Sequence, residues 1–143
     1  MTFVLDASVT MCWLFLDGKP AERAYALKVL DIMKQAKTSA RVPVTWGLEV
    51  SNVITNAEVK GLVREVQSEA FLEMLGVVDI GADSATFSKA LSDTLQIARR
   101  YRLSAYDASY LELAMREGLP LATLDEDLQK AANKAGLKRF AVR

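Results

Sequence analysis

Four acidic residues lie at or near the starts of predicted helices, although they are far apart along the chain: Asp6, Glu49, Asp107 and Asp125. The 143 residues include no histidine and a single cysteine, Cys12, which excludes a Ser-His-Asp triad, an imidazole proton shuttle and the usual zinc sites. Carboxylates must therefore carry any polar chemistry of this chain.

If these four carboxylates meet in one crevice, their like charges repel and should raise their pKa values. A divalent cation removes that conflict, and oxygen ligands without His or Cys favour Mg²⁺ or Mn²⁺ over zinc or copper. Such ions bind phosphates through partly open coordination shells. The acidic set therefore points to metal-dependent phosphoryl chemistry, with Ser8 and Thr123 as hydroxyls that orient the carboxylates or bound water.

The acids that follow predicted strands, and Asp127 beside them, can also be explained by helix capping or the helix dipole. Asp6 and Asp125 suit helix N-caps, a role that stabilises a helix by about 1 kcal/mol. Asp127, two residues after Asp125, is either a peripheral fifth acid or a solvated first-turn residue favoured by the helix dipole.

The other two acids lie inside helical patterns. Glu49 falls at the margin of an apolar stripe with Asn52 on the same side, which is a polar seam or only a solvent boundary. Ser104 and Asp107 have the spacing of a capping box, but the helix that follows is apolar nearly all round, and burying an acid without a partner is costly. Asp107 therefore favours function over capping.

Short apolar runs alternate with helical patterns along the whole chain. The runs predict strands over residues 2–5, 41–44, 77–80, 119–123 and 140–142, and the patterns predict helices over residues 21–34, 46–59, 64–75, 83–102, 105–117 and 126–135. This alternation predicts a three-layer α/β/α fold with a central parallel sheet of about five short strands. With no linker in the sequence, residues 1–143 are expected to form one domain.

Ligands of such sheets bind beyond the carboxyl ends of the strands. Three of the acids belong to helices that follow predicted strands and so open at that edge. No clear strand precedes Asp107, so its place there is an assumption.

The composition is that of a globular protein, with 51% hydrophobic residues and 18 basic against 18 acidic side chains. No apolar run reaches the length of a membrane span, so we expect a soluble cytoplasmic protein. Without net charge, any nucleic-acid contact must rely on local basic clusters. The candidates are Arg99, Arg100 and Arg102 with Tyr101, and a second group of Lys134, Lys138, Arg139 and Arg143, although cations near helix C-termini are also ordinary dipole partners.

Four segments carry a resemblance that covers essentially the whole chain: Val4-Leu5-Asp6-Ala7-Ser8, Pro43-Val44-Thr45-Trp46-Gly47-Leu48-Glu49-Val50-Ser51-Asn52-Val53, Tyr106-Asp107-Ala108-Ser109-Tyr110-Leu111-Glu112-Leu113-Ala114 and Leu119-Pro120-Leu121-Ala122-Thr123-Leu124-Asp125. In this order and spacing, the sequence resembles PIN-domain proteins, and specifically the VapC toxins of prokaryotic toxin-antitoxin pairs.

The resemblance implies a PIN-like fold and a Mg²⁺- or Mn²⁺-dependent endoribonuclease that cuts single-stranded or looped RNA. Asp6, Glu49, Asp107 and Asp125 match the acidic quartet of the family, whose implied role is to hold one or two metal ions that activate water for attack on a phosphodiester. It also implies a homodimer and a cognate antitoxin protein whose segment occupies a groove beside the site.

Three other functions are considered. A housekeeping PIN-type RNA-processing nuclease would have the same acidic residues as a toxin. An aspartyl-nucleophile phosphatase fits poorly, because residue 8 is Ser where a second Asp would be needed. A non-catalytic protein-interaction module, in which the acids only cap helices, would bind no metal.

Overall fold

A computed structural model describes residues 1–35 and 37–142 of the chain. The strands are β1 (Thr2–Leu5), β2 (Ser39–Val42), β3 (Ile80–Ala82) and β4 (Leu121–Ala122). The helices are α1 (Ala7–Phe15), α2 (Pro20–Met33), α3 (Trp46–Val59), α4 (Glu65–Leu75), α5 (Thr86–Lys89), α6 (Asp93–Tyr101), α7 (Ala105–Glu117) and α8 (Glu126–Lys134).

The strands form one parallel sheet in the order β3-β2-β1-β4. Alternate side chains of the central strand β1 enter different cores: Phe3 and Leu5 pack with α1 and α2, whereas Val4 packs with α7 and α8. Because helices cover both faces of a parallel sheet, the predicted three-layer α/β/α architecture is confirmed.

The sheet has four strands among the described residues, where about five were predicted. The predicted strand 140–142 does not form, and the isolated bridge to Leu121 is made by Arg139, the residue just before this segment. Phe140 is held by packing instead, because its ring stacks on Phe3 with centroids 3.9 Å apart. β2 also ends two residues before the predicted limit, since Pro43 lacks the N–H that the ladder needs.

The predicted helix 83–102 is two helices, α5 and α6, and the prediction of one continuous helix is wrong. Asp83 extends the sheet, because its N–H donates to the carbonyl of Val42 at 2.7 Å. Its side chain accepts hydrogen bonds from Thr86 and Arg116, which fix a turn ahead of α5. The backbone of Ser92, with φ −121° and ψ −99°, separates α5 from α6.

Helix α7 matches its predicted bounds, and its middle is buried. All residues from 108 to 114 are buried, and Gly118 ends the helix in the left-handed conformation at φ 65°. No helix within residues 1–35 or 37–142 combines the length and apolar character needed to cross a membrane.

Candidate active site

Asp6 follows β1 at the carboxyl edge of the sheet and is almost completely buried. It stands at the N-cap position of α1, yet its carboxylate makes no capping hydrogen bond of standard geometry. Instead, Oδ2 accepts hydrogen bonds from the hydroxyls of Ser8 and Thr123, the latter at 2.7 Å. Burial raises the pKa of Asp6 in spite of these hydrogen bonds, and the charge of Asp125 adds to the effect.

Ser8 and Thr123 are themselves fixed by backbone contacts. The Ser8 hydroxyl accepts from the N–H of Leu124 at 2.9 Å, and the Thr123 hydroxyl accepts from the N–H of Asp125 at 3.0 Å. Two segments that are more than 110 residues apart in sequence are thereby joined around Asp6. The hydroxyls hold this carboxylate in one orientation.

Glu49 lies in the first turn of α3 and is half-buried. Its Oε1 accepts a hydrogen bond of 3.0 Å from the hydroxyl of Tyr110, a fully buried residue of α7. Burial raises the pKa of Glu49 to about 7 against the Tyr110 hydrogen bond, and the charges of Asp6 and Asp107 contribute. Burial and the charges of Asp6 and Glu49 raise the pKa of Tyr110, which keeps its hydroxyl a proton donor.

Asp107 lies in the first turn of α7. Ser104 is the N-cap, because its hydroxyl accepts from the N–H of Asp107 at 3.1 Å. Burial, with smaller contributions from the charges of Asp6, Asp125 and Asp127, raises the pKa of Asp107 to about 6. These interactions put Asp107 beside the acids at the sheet edge, although no strand precedes it.

Asp125 lies between β4 and α8, and its predicted role as the N-cap of α8 is confirmed. Its Oδ1 accepts from the N–H of Leu128 at 2.9 Å. The same carboxylate faces the other acids, because its charge contributes to the raised pKa values of Asp6 and Asp107. Asp127 is exposed and influences only Asp107 through its charge.

The name acid site is used below for Asp6, Glu49, Asp107 and Asp125. No group of three or more acidic or cysteine side chains within the described residues is arranged as a ready-made metal site. The donor chemistry nevertheless fits a hard divalent cation, since every donor is an oxygen. Burial chiefly, and the charges of neighbouring acids in addition, raise the pKa values of Asp6, Glu49 and Asp107, and a bound cation would offset both effects. The four acids are therefore electrostatically coupled without forming a closed cage.

A groove opens beside the acid site. Glu49 and Asn52 line it with the exposed side chains of Leu48 and Tyr106, together with Thr45 and Val53. Asn52 is exposed, and it lies on the same side of α3 as Glu49, as its spacing predicts.

Two polar features of the structure were not predicted from the sequence. Tyr110 is the first, and its position three residues after Asp107 was a usable signal, because residues three apart share one side of a helix. The second is the Arg116 cluster, made of Asp83, Glu112 and Arg116. The Arg116 side chain lies 2.6 Å from Asp83 and 2.9 Å from Glu112, and both carboxylates are buried. Glu112 and Arg116 show the i,i+4 spacing of a helical ion pair, but nothing local indicates Asp83.

The model of the PIN domain family matches residues 3–134 of the chain. The chain belongs to the PIN domain family. A crystal structure of the Pyrobaculum aerophilum protein PAE2754 shares the PIN domain fold with it, at a TM-score of 0.65 and 21% identity, covering 92% of this chain and 79% of that one. This family membership agrees with the resemblance found in the sequence motifs.

Among curated proteins, Ribonuclease VapC3 of Pyrobaculum aerophilum is 31% identical to this PIN domain over 80 residues. The match spans 56% of this chain and 61% of that relative, so less than two thirds of the relative's length is represented. The match connects this PIN domain to a protein named as a ribonuclease.

Proposed function

We propose that this PIN domain is a Mg²⁺- or Mn²⁺-dependent endoribonuclease. The observation that carries the proposal is the convergence of four acids, from the starts of four helices, at the carboxyl edge of the sheet, with raised pKa values for Asp6, Glu49 and Asp107. The similarity to Ribonuclease VapC3 supports RNA as the substrate.

The protein's own part in this chemistry is to hold charge in place. Ser8 and Thr123 orient Asp6, and Tyr110 orients Glu49, so two of the carboxylates are fixed before substrate arrives. A divalent ion held by the acid site would supply the positive charge that polarises the phosphodiester and lowers the pKa of an attacking water. Burial of the surrounding side chains strengthens these electrostatic interactions.

The test is RNA cleavage in Mg²⁺ by the wild type, Asp6→Asn and Asp107→Asn, with Asp31→Asn as the matched control. Asp31 is an exposed acid of α2 outside the acid site, so this variant loses the same charge elsewhere. We expect cleavage to fall to background in the two acid-site variants and to persist in the control, with thermal unfolding showing that all three are folded. Full cleavage by Asp6→Asn would remove the proposed role.

We further propose that the nuclease is the toxin of a toxin-antitoxin pair and acts in the cytoplasm as a homodimer. Support comes from the VapC3 relative and from the apolar groove beside Glu49, where the exposed Leu48 and Tyr106 suit a segment of an antitoxin protein. Expression should arrest growth, and co-expression of a small adjacent gene should restore it. Normal growth on strong expression of active enzyme would favour a housekeeping nuclease.

The interaction-module alternative makes a different prediction about metal. A module whose acids only cap helices would show no stabilisation by Mn²⁺, whereas the proposed enzyme gains stability from any ligand that binds only its folded state. The Asp6 carboxylate is held by the hydroxyls of Ser8 and Thr123, contacts that helix capping does not require, which favours the enzyme.

A further inference from the structure

A polar pocket lies where the ends of α6 and α8 meet. Its lining consists of Arg100 and Tyr101 from the last turn of α6, Arg102 just beyond that helix, and Lys134 from the last turn of α8. Every charged side chain of this lining is basic, although the chain as a whole carries no net charge. The structure thus joins residues from two basic clusters that are separate in sequence.

The cations of this pocket are available to a ligand. Arg100, Arg102 and Lys134 are exposed, and none of them takes part in an ion pair within the described part of the chain. By contrast, Arg116 is committed to Asp83 and Glu112. Arg139 lies 3.7 Å from the centroid of the Tyr25 ring, whereas Arg100 lies 5.6 Å from that of Tyr101, within the pocket itself. Arg143, named with the second basic cluster, falls outside the described residues.

The helix dipole does not account for this arrangement. It favours a cation in the last turn of each helix separately, but it does not require cations from two helices to line the same pocket. Arg102 lies past the last turn of α6 and has a left-handed backbone with φ 55°, a conformation uncommon for residues other than glycine.

The pocket is lined by residues that belong to, or lie next to, the helices that carry Asp107 and Asp125. Arg102 lies two residues before Ser104, the N-cap of the helix that carries Asp107. Lys134 is at the far end of α8, whose N-cap is Asp125, and nine residues of helix span about 13 Å. A flexible anionic strand that crosses the acid site can therefore reach the pocket within a short stretch.

We propose that this pocket binds a backbone phosphate of single-stranded RNA, away from the phosphodiester that is cut, with Tyr101 offering a partly exposed ring to an adjacent base. The proposal rests on the proposed ribonuclease function and names a second point of contact with the same substrate. Arg side chains bind phosphate with paired hydrogen bonds, and unpaired bases stack on aromatic rings.

The test compares two double variants that remove equal charge from the same two helices. Arg102→Gln with Lys134→Gln empties the pocket of two cations. Arg99→Gln with Lys130→Gln removes two exposed cations that do not line it. Binding of a fluorescein-labelled single-stranded oligoribonucleotide is measured by anisotropy in EDTA, over a range of salt concentrations.

The pocket variant should bind roughly tenfold more weakly, the loss expected for a charge-assisted hydrogen bond. Its slope of log K against log salt should become shallower by about 0.7, the value for one phosphate on a single strand. The control variant should match the wild type. Equal weakening of both variants, or no RNA binding by the wild type, would overturn the proposal.

A cleavage assay separates this proposal from the proposed function. A dinucleoside monophosphate has one phosphodiester and cannot occupy both the acid site and the pocket. The pocket variant should raise KM for the oligoribonucleotide at unchanged kcat and leave cleavage of the dinucleoside monophosphate unaffected. If no RNA is cut although the two variants differ in RNA binding, the nuclease proposal fails and the phosphate pocket stands. If the enzyme is active and the KM of the pocket variant is unchanged, only the pocket proposal is contradicted.

Discussion

The acid site and the Arg116 cluster are two groups of buried or half-buried carboxylates at opposite ends of α7, and among residues 1–35 and 37–142 only the second is paired with a cation of the protein. In the acid site, at the first turns of this helix, no Lys or Arg of the described residues pairs with the carboxylates, and burial raises the pKa values. In the Arg116 cluster, at the last turn, burial alone would raise the pKa of Asp83, but hydrogen bonds from Arg116, the Ala85 backbone and Thr86, together with the Arg116 charge, outweigh it and lower that pKa. Arg116 thus balances the charge of its carboxylate partners, whereas the carboxylates of the acid site have no such partner in the part of the chain that the structure describes.

The difference shows what each group is for. A buried carboxylate paired with a guanidinium is satisfied and needs no further partner, so the Arg116 cluster serves to fix α7 against the turn at Asp83. Unpaired acids destabilise the fold, and a cost of this kind is typical of functional sites. The acid site is thus prepared for a cation that the polypeptide does not supply.

The largest change in stability is expected when Arg116 is removed from the Arg116 cluster. Arg116→Met leaves Asp83 and Glu112 buried without a cation and should lower the free energy of unfolding by about 3 kcal/mol. Urea denaturation measures this change. Adding Asp83→Asn and Glu112→Gln to Arg116→Met should restore part of the loss, because no buried charge then remains unpaired; a triple variant no more stable than the single one would contradict this explanation.

Thr123→Val tests how the acid site is oriented. It removes the hydrogen bond to Asp6 at little change in volume, and loss of such a supporting contact should weaken Mn²⁺ binding by about 10- to 100-fold. Titration calorimetry provides the comparison. Thr55→Val, at an exposed position of α3, is the control and should bind Mn²⁺ like the wild type.

Asp107→Asn and Asp83→Asn should change stability in opposite directions at pH 7.5 in EDTA. The pKa of Asp107 is raised to about 6, so its contribution to stability is present below its ordinary pKa and is lost as the pH rises through about 6. Asparagine avoids that loss and should stabilise the protein by on the order of 1 kcal/mol, since solvent screens this half-buried group.

Asp83 has a lowered pKa, so its stabilisation is present above the ordinary pKa and is lost as the pH falls through the lower value. Its replacement should therefore destabilise the protein at pH 7.5. Urea midpoints of the two variants that move in the same direction would remove the distinction between the two groups.

The smallest effect is expected from Tyr110→Phe. Loss of the hydrogen bond to Glu49 should lower the free energy of unfolding by about 1 kcal/mol. The pKa of Glu49 should then rise above about 7. The pH at which Mn²⁺ binding reaches half its maximum should move upward. An unchanged pH midpoint would show that Tyr110 does not influence Glu49.

Local patterns were enough to predict the elements that carry the acid site. Helices α3 and α7 have their predicted bounds, because apolar spacing and a capping serine are signals contained in the segment itself. The division of helix 83–102 could not be predicted in this way. The break follows the backbone of Ser92, and the late start of α5 follows a turn that Asp83 forms by binding Arg116, 33 residues further along the chain.

The supporting contacts of the site show the same limit. Ser8 and Thr123 were predicted to orient the carboxylates or bound water. That both hydroxyls converge on Oδ2 depends on the β1–β4 pairing, which only the fold provides. The meeting of the two basic clusters at one pocket likewise required the three-dimensional packing of α6 and α8.

Calorimetry of Mn²⁺ binding at pH 6.5, in two buffers with different ionisation enthalpies, tests the central claim most directly. The acid site holds protons at this pH, since the pKa of Glu49 is about 7 and that of Asp107 about 6. We expect Mn²⁺ to bind with release of protons, seen as a buffer-dependent heat, and expect both signals to vanish in Asp6→Asn. Binding that persists in this variant, or no binding by the wild type, would contradict the account.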